Sequence, residues 1–348
     1  MHLSAVGRRS GVISLVAGLS LVLAACGTQA GSSDGDGSPA AGGDCDGYPS
    51  EDVDFVIPYG PGGGFDTWAR LVAPVLQEEL GVNVVPVNRE GAGGLVGVTE
   101  VLNTEANGYT IVITEPGVLA TQQIAGTTDA DFSELQAIGR LTVGPEVIVV
   151  AEGSEWESIE DVQAAADPAD PFLMASGGIA AINIVAFDEL GLPYTDVPHD
   201  ASPDALLSIV RGDTDIAVYP LTSVAEGISG GDLKPLVLIG EPPAEGQPGA
   251  DLVEGIPTLD EATGTEGIGA ALAQTRIVAT PPGTPACVVD VLDQALASVF
   301  ENEDFLAGLD EAGFIPVHGS AAEAQEVINV TFSTLEGYSD LLIENLSE

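Results

Sequence analysis

The sequence predicts a two-domain α/β protein in which each domain is a mostly parallel sheet flanked by helices. Three observations carry this reading. Short apolar runs alternate with longer segments whose apolar residues recur at helical spacing, the pattern of strands joined by crossover helices. The alternation starts twice, at Val53 and again near Val147. The 348 residues, 45% of them apolar, suffice for two ordinary cores.

Residues 1–25 read as an export signal rather than as part of the fold. Arg8 and Arg9 precede an uncharged stretch rich in Val, Leu, Ile and Ala from Gly11 to Ala25. That stretch is shorter than the roughly 20 apolar residues a spanning helix needs. Leu23-Ala24-Ala25-Cys26-Gly27 resembles a bacterial lipobox, which implies that Cys26 is lipidated and becomes the first mature residue. Residues 26–52 are mostly Gly, Ser, Ala and Asp, a flexible linker between the lipid anchor and the body. Of the remaining cysteines, Cys45 ends the linker and Cys287 opens a late helix. An extracytoplasmic location permits a disulfide between them, with two free thiols as the alternative. Neither lies in a His-paired setting, so no thiol catalysis is expected.

The charge is extreme: 54 Asp plus Glu against 8 Lys plus Arg, a formal net charge of −46. Arg8 and Arg9 fall in the leader, which leaves six basic residues for the mature chain. Such a surface repels nucleic acid and anionic membranes, so neither is expected as a partner surface. A folded body with a dense acidic coat fits a high-salt habitat, where counterions screen the repulsion; an ordinary acidic secreted protein is the alternative.

The first domain is expected to span 53–145 and 270–348. Val53–Tyr59, Val82–Val87 and Thr110–Thr114 read as strands, with Thr67–Leu80 and Leu95–Leu102 as helices between them. Two glycine-rich turns follow the first two strands: Pro61-Gly62-Gly63-Gly64-Phe65-Asp66 and Asn88-Arg89-Glu90-Gly91-Ala92-Gly93-Gly94. A third connection, Thr114-Glu115-Pro116-Gly117, lies at the same edge. In an open α/β sheet, ligands bind at the carboxyl ends of strands. Glycine there exposes backbone N–H groups to an anion. Alone, each turn also reads as a tight connection with Asp66 as a helix cap. Nucleotide readings fail. No lysine stands near either turn, as a phosphate loop requires, and Gly62-Gly63-Gly64 lacks the third glycine of a dinucleotide fingerprint.

Ile57-Pro58-Tyr59-Gly60-Pro61-Gly62-Gly63-Gly64-Phe65-Asp66, Asn88-Arg89-Glu90-Gly91-Ala92-Gly93-Gly94 and Asn107-Gly108-Tyr109-Thr110 resemble consecutive blocks of the tripartite tricarboxylate transporter solute-binding proteins. The resemblance extends from about Asp52 to the C-terminus. It implies a periplasmic-binding-protein-like fold of type II that closes about a hinge, and a ligand-binding role for Tyr59 and the two glycine turns. It further implies that Ser176, Gly177 and Gly178 of the second domain face those turns.

The second domain is expected to span 146–269. Val147–Val150, Phe172–Ala175, Asp215–Val218 and Leu233–Ile239 read as strands, and Glu155–Ala166, Ala180–Gly191 and Ala201–Arg211 as helices. Ser176-Gly177-Gly178 is then another strand-to-helix turn, which by itself is a cap. The resembled family often carries an aromatic-lysine-glycine run where this chain has Val197-Pro198-His199-Asp200-Ala201. His199 therefore marks either an altered specificity pocket or a surface loop. Tyr219, at a strand end, lines the cleft or packs the hinge. With His2 in the leader and His318 far off, no metal site is expected. The return to the first domain brings the strand Arg276–Thr280, helices at Ala286–Phe300, Phe305–Ala312 and Ala321–Leu341, and a short strand at Phe314–Val317. The chain thus crosses twice, near Gly144 and near Ala270, which permits hinge closure.

The sequence is therefore read as a monomeric, lipid-anchored extracytoplasmic receptor without cofactor. It captures a small organic carboxylate (mono-, di- or tricarboxylate, or an amino acid) and hands it to membrane transporter subunits. Residues expected at the ligand are Tyr59, Gly62, Gly63, Gly64, Asp66, Arg89, Gly91, Ala92, Gly93, Glu115, Ser176, Gly177, Gly178, His199 and Tyr219. An amino acid would place its ammonium on Asp66. A sensory binding protein presenting its ligand to a signalling partner is the alternative. A hydrolase is not favoured, since Ser176 lacks a Gly-x-Ser-x-Gly elbow.

Overall fold

In the computed structural model, residue 45 and residues 47–176, 180–199 and 202–346 are described. The order of elements is β1 (Val53–Ile57), α1 (Gly64–Leu80), β2 (Val84–Asn88), α2 (Leu95–Leu102), β3 (Thr110–Thr114), α3 (Pro116–Ile124) and β4 (Gln136–Gly144). Then come β5 (Glu146–Ala151), α4 (Ile159–Ala165), β6 (Phe172–Ser176), α5 (Ala180–Leu190), β7 (Tyr194–Pro198), α6 (Ser202–Arg211), β8 (Ile216–Pro220), α7 (Leu221–Gly230) and β9 (Leu233–Ile239). The chain ends with α8 (Leu259–Thr263), α9 (Ile268–Leu272), β10 (Gln274–Thr280), α10 (Ala286–Val299), α11 (Glu303–Glu311), α12 (Ala321–Glu336) and α13 (Ser339–Leu346).

The described residues form two five-stranded sheets, β2-β1-β3-β10-β4 and β7-β6-β8-β5-β9. In each, three strands run parallel, as β-α-β crossovers require. The strand that enters from the other sheet runs against its neighbours: β10 in the first, β5 in the second. The fold is thus two mixed α/β sheets flanked by helices.

Strand alternation explains why both faces of each sheet are covered. Phe55 and Ile57 point into a cluster with Trp68, Leu76, Leu292 and Phe305, while Val56 joins Leu95, Val98, Val112 and Ile328 on the opposite face. In the second sheet Ile148 and Val150 pack with Val185, Phe187 and Leu190, and Val147 and Val149 with Ile209, Val224 and Leu233.

Only Pro145 separates β4 from β5, and its carbonyl accepts the amide of Leu221 at 3.0 Å. The return passes beside it. Gly240, at φ +109, lies where a Cβ would stand 3.0 Å from Ala273 Cβ and 3.5 Å from Pro145 Cα. The two crossings therefore run side by side. Asp260 fixes the second by accepting the amides of Gly267 at 2.6 Å and Gly269 at 2.7 Å.

Several elements differ from expectation. Phe314–Val317 is no strand: Pro316 has no N–H to donate, and the segment lies beside β4 through Val317 N–H to Leu141 O and Thr142 Oγ1 to Ile315 O. The expected helix Ala321–Leu341 is two, α12 and α13, parted at Gly337 and Tyr338. The second does not stay with the first sheet. Leu342 packs into the core around Val185 and Phe187, and Tyr338 donates its hydroxyl to Glu189 of α5 at 2.5 Å. Strands β4 and β7 and helices α3, α7, α8 and α9 were not anticipated. In β4, Gly139, Arg140 and Gly144 interrupt the apolar run. At the end of the linker, Cys45 is disulfide-bonded to Cys287, and Tyr48 packs on Tyr109 and donates to Gly108 O at 2.8 Å. Among the described residues no helix is long and apolar enough to cross a membrane. The leader, with Cys26, lies outside the described residues.

Candidate ligand-binding cleft

Because β2, β1 and β3 are adjacent and parallel, their carboxyl ends bring the two glycine turns and Glu115 to one edge. The first turn is held from inside. Gly62 N–H donates to Asp66 Oδ2 at 2.9 Å, while Asp66 Oδ1 accepts from Arg70 Nε at 2.9 Å and Asn88 Nδ2 at 3.0 Å. Asn88 also donates to Tyr59 O, so one carboxylate ties the first turn to the end of β2. The Arg70 bond, together with the Gly62 and Asn88 bonds, holds the Asp66 carboxyl down to about 2 against its burial. Asp66 is thus placed as the internal anchor of the turn, in the third position of α1 rather than at its cap, which is Gly63.

In the second turn Gly94, at φ +100, sits where a Cβ would lie 3.0 Å from Tyr59 Cζ, so only glycine lets the Tyr59 ring lie against this backbone. Ala92 takes φ +46, unusual for a residue with a Cβ. Tyr59 also stacks on Phe65, with ring centres 4.4 Å apart. Arg89 points away from this packing: its half-exposed side chain pairs with Glu100 at 3.2 Å.

The centre of the edge is a residue the sequence reading treated only as the start of a strand. Ile277 of β10 pairs with Thr114 of β3, so Arg276 falls beside Glu115. Arg276 is 9% exposed, and its Cζ lies 4.9 Å from the Phe65 ring centre and 5.6 Å from that of Phe314. Its Nη2 reaches the first turn, 3.4 Å from where a Gly64 Cβ would stand. The Nε is buried without a hydrogen-bond partner, and Arg276 forms no ion pair among the described residues. A guanidinium in this state has donors in a planar fork, and the buried Nε among them has nothing to receive it.

Two buried carboxyls share its field. Burial pushes Glu115 up to about 7 while Arg276 pulls it back. Glu146, the first residue of β5, is pushed well above the carboxylate range by burial and by Glu115, again opposed by Arg276. Neither oxygen of Glu146 has a partner, although the residue is 1% exposed. Burial and Glu115 also drive the Tyr59 hydroxyl up to about 12. The Tyr219 hydroxyl, buried and unpartnered, is raised to about 12 by burial, Asp196 and Glu146.

From the second sheet, Ser176 ends β6 and accepts the His199 amide at 2.9 Å, so these two expected residues are neighbours at one edge. The His199 Nδ1 lies 2.8 Å from Val197 O. Gly177 and Gly178 lie outside the described residues. A cavity of about 240 Å³ runs from Glu115 past Thr121 and Gln122 to Ile182 and Leu335. A wider recess of about 570 Å³ opens at Arg276, Thr142 and Pro220. A third, of about 580 Å³, runs beneath α5 between Ser176 and Leu341; its charged lining is Asp188 and Asp196, with no cation, so we do not place an anion there. Among the described residues no group of three or more His, Cys, Asp or Glu could hold a metal.

The sequence held a signal for the missed pair. Arg276 and Glu146 are each a lone charge beside an apolar run, Ile277-Val278-Ala279 and Val147-Ile148-Val149-Val150, and Arg276 is one of only six basic residues outside the leader. What could not be read was that two strands far apart in sequence place them at one crossing.

Known proteins resemble this chain over most of its length. The model of the "tripartite tricarboxylate transporter family receptor" matches residues 68–339. The UPF0065 protein in the tcbD-tcbE intergenic region of Pseudomonas sp. (strain P51) is 28% identical over 309 residues, 86% of this chain and 88% of that protein. A TctC solute-binding protein from Polaromonas, crystallised with no ligand, superposes with a TM-score of 0.74 at 27% identity, covering 86% of this chain and all of that one. MatC from Rhodopseudomonas palustris, solved with bound malate, has a TM-score of 0.60 at 21% identity over 85% of this chain and 100% of that one, and at that identity shows the fold alone.

Proposed function

The chain belongs to the tripartite tricarboxylate transporter family of receptors, and from that membership we propose that it captures a small organic carboxylate between its two sheets and delivers it to a membrane transporter. As a member of a solute-binding family it is not an enzyme. Family membership supports an extracytoplasmic location.

The observation that carries the ligand class is Arg276. A buried guanidinium whose Nε has no acceptor is costly to keep, and a carboxylate on its fork would relieve that cost. The backbone N–H groups of the turns at Gly62–Gly64 and Gly91–Gly93 would complete the anion site from one side. Ser176 and the adjacent Gly177 and Gly178, with His199 and Tyr219, would close it from the other. In this reading 146–269 together with α13 moves as one lobe against 53–145 and the rest of the chain after 270, with Pro145 and the Gly240–Ala273 contact as the hinge. The anchor at Cys26 and the linker after it would hold a monomeric receptor at the outer face of the membrane.

A thermal-shift screen of the protein in molar salt against organic acids tests this reading. Hits confined to carboxylates, and lost in Arg276→Gln, are expected, because a ligand that binds only the folded state raises its apparent stability. Folded, ligand-free protein that responds to no carboxylate would overturn it.

A further inference from the structure

Resting on the receptor reading above, we propose that capture is proton-linked: Glu115 takes up a proton as the ligand settles on Arg276, so affinity falls as pH rises.

Two carboxyls and one guanidinium meet at this edge. Glu115 follows β3 and is 8% exposed; Glu146 opens β5 and is 1% exposed. Glu115 stands directly before α3, yet its side chain makes no capping bond to the helix amides. Both oxygens of Glu146 are without a partner. Neither glutamate is ion-paired among the described residues, so only the field of Arg276 favours their charged forms. One guanidinium does not keep two such buried groups ionised. Glu146 is the more deeply buried and remains the acid. Glu115 is the group that switches, and it lines the cavity of about 240 Å³. Burial against Arg276 leaves it at about 7.

The ligand acts on this balance through Arg276. In the free site an ionised Glu115 is offset by Arg276, and with Glu146 neutral the three groups carry no net charge. A carboxylate on Arg276 adds one negative charge and engages the one cation that keeps Glu115 ionised. A proton from solvent, bonding to a Glu115 oxygen, restores neutrality. The groups facing Glu115 are Tyr59 from just past β1, Arg276 from β10 and Glu146 from β5, and they offer no second cation. Binding therefore raises the Glu115 carboxyl above its ligand-free value. Affinity is full below about pH 7 and is lost progressively as pH rises through it.

Isothermal titration calorimetry with acetate, glutarate, benzoate and 3-phenylpropanoate tests the proposal, since these acids stay ionised above about pH 6.5. Titrations at about pH 7 in two buffers of different ionisation enthalpy should show net proton uptake. An acid that binds should lose about fivefold or more in affinity between about pH 6.5 and 8.5. Both effects should disappear in Glu115→Gln, with ligand-free melting curves verifying that the variant folds. A histidine beside an anion also gains a proton, so both measurements are repeated in His199→Gln, where they should persist. Carboxylates that bind without proton uptake, and equally well at both pH values, would overturn the linkage and leave the carboxylate receptor standing. Uptake retained in Glu115→Gln, or lost in His199→Gln, would overturn the assignment to Glu115. Should Glu115→Gln fold yet bind no probe, Glu146→Gln decides: uptake kept there supports Glu115, and uptake lost moves the proton to Glu146. Failure of every probe on folded, unaltered protein would sink both readings.

Discussion

The amide of Gly62 donates to the carboxylate of Asp66 at 2.9 Å, so the first glycine turn is fastened by its own helix. The same carboxylate holds Arg70 and Asn88. Asp66→Ala therefore removes three hydrogen bonds at once and is expected to lower stability by about 2–3 kcal/mol in denaturant titration. The effect should depend on pH. The folded pKa, at about 2, is below the ordinary one, so the stabilisation is present above about pH 4 and is lost as pH falls through about 2. Melting curves of Asp66→Asn and the unaltered protein should converge over that range.

Two glycines, one in each turn, separate binding from folding. At Gly63, φ is −79 and a Cβ would meet nothing nearer than Gly60 O at 3.8 Å. Gly63→Val should keep stability within about 1 kcal/mol while blocking ligand approach to the turn. At Gly94, φ is +100 and a Cβ would strike the Tyr59 ring at 3.0 Å. Gly94→Ala should cost about 1–3 kcal/mol and displace Tyr59. Thermal melts with and without a bound carboxylate distinguish the two: loss of the ligand shift alone for the first, a lower ligand-free midpoint for the second.

The Cys45–Cys287 disulfide joins residues 242 apart in sequence and pins the end of the linker to the first sheet's outer helix. Closing so long a loop restricts the unfolded chain strongly. Cys287→Ser should lower stability by about 2–5 kcal/mol by chemical denaturation, and a reducing agent should bring the unaltered protein to nearly the same value.

Much of the fold was legible because it rests on local periodicity. Thr110–Thr114 and Leu233–Ile239 occur as read, since each holds a short β-favouring apolar stretch, Ile111–Ile113 and Leu236–Ile239, next to turn residues. The glycine turns were legible because positive φ and close backbone approach leave a mark in composition. The helix opening at Pro116 was taken for a connection, although proline in the first turn is an ordinary helix start. The break at Gly337 and the passage of α13 to α5 depend on which core Leu342 can enter, a tertiary choice with no local signature. At the cleft, the same limit applies. Arg89 drew attention by its place in a glycine turn yet pairs with Glu100, whereas Arg276 gained its setting from Phe65, Phe314 and Glu115, all distant in sequence.

That setting should be visible in the stability of the ligand-free protein. Glu115 and Glu146 have folded pKa values raised above their unfolded ones, so the folded state holds their protons more tightly. Below about pH 4.5 both states are protonated and neither group affects folding. As pH rises, the unfolded chain ionises first and stability falls. For Glu115 the fall ends near its folded value of about 7. Its rise from 4.5 to about 7 corresponds to about 3 kcal/mol at full effect. Glu115→Gln cannot ionise, so its stability relative to the unaltered protein should climb by up to that amount between pH 4.5 and 8. Whatever fixed cost the amide brings will be the same at every pH. Chemical denaturation at half-unit steps across this range measures the slope. A flat difference would mean that Glu115 ionises as an exposed carboxylate does, its burial fully offset by Arg276.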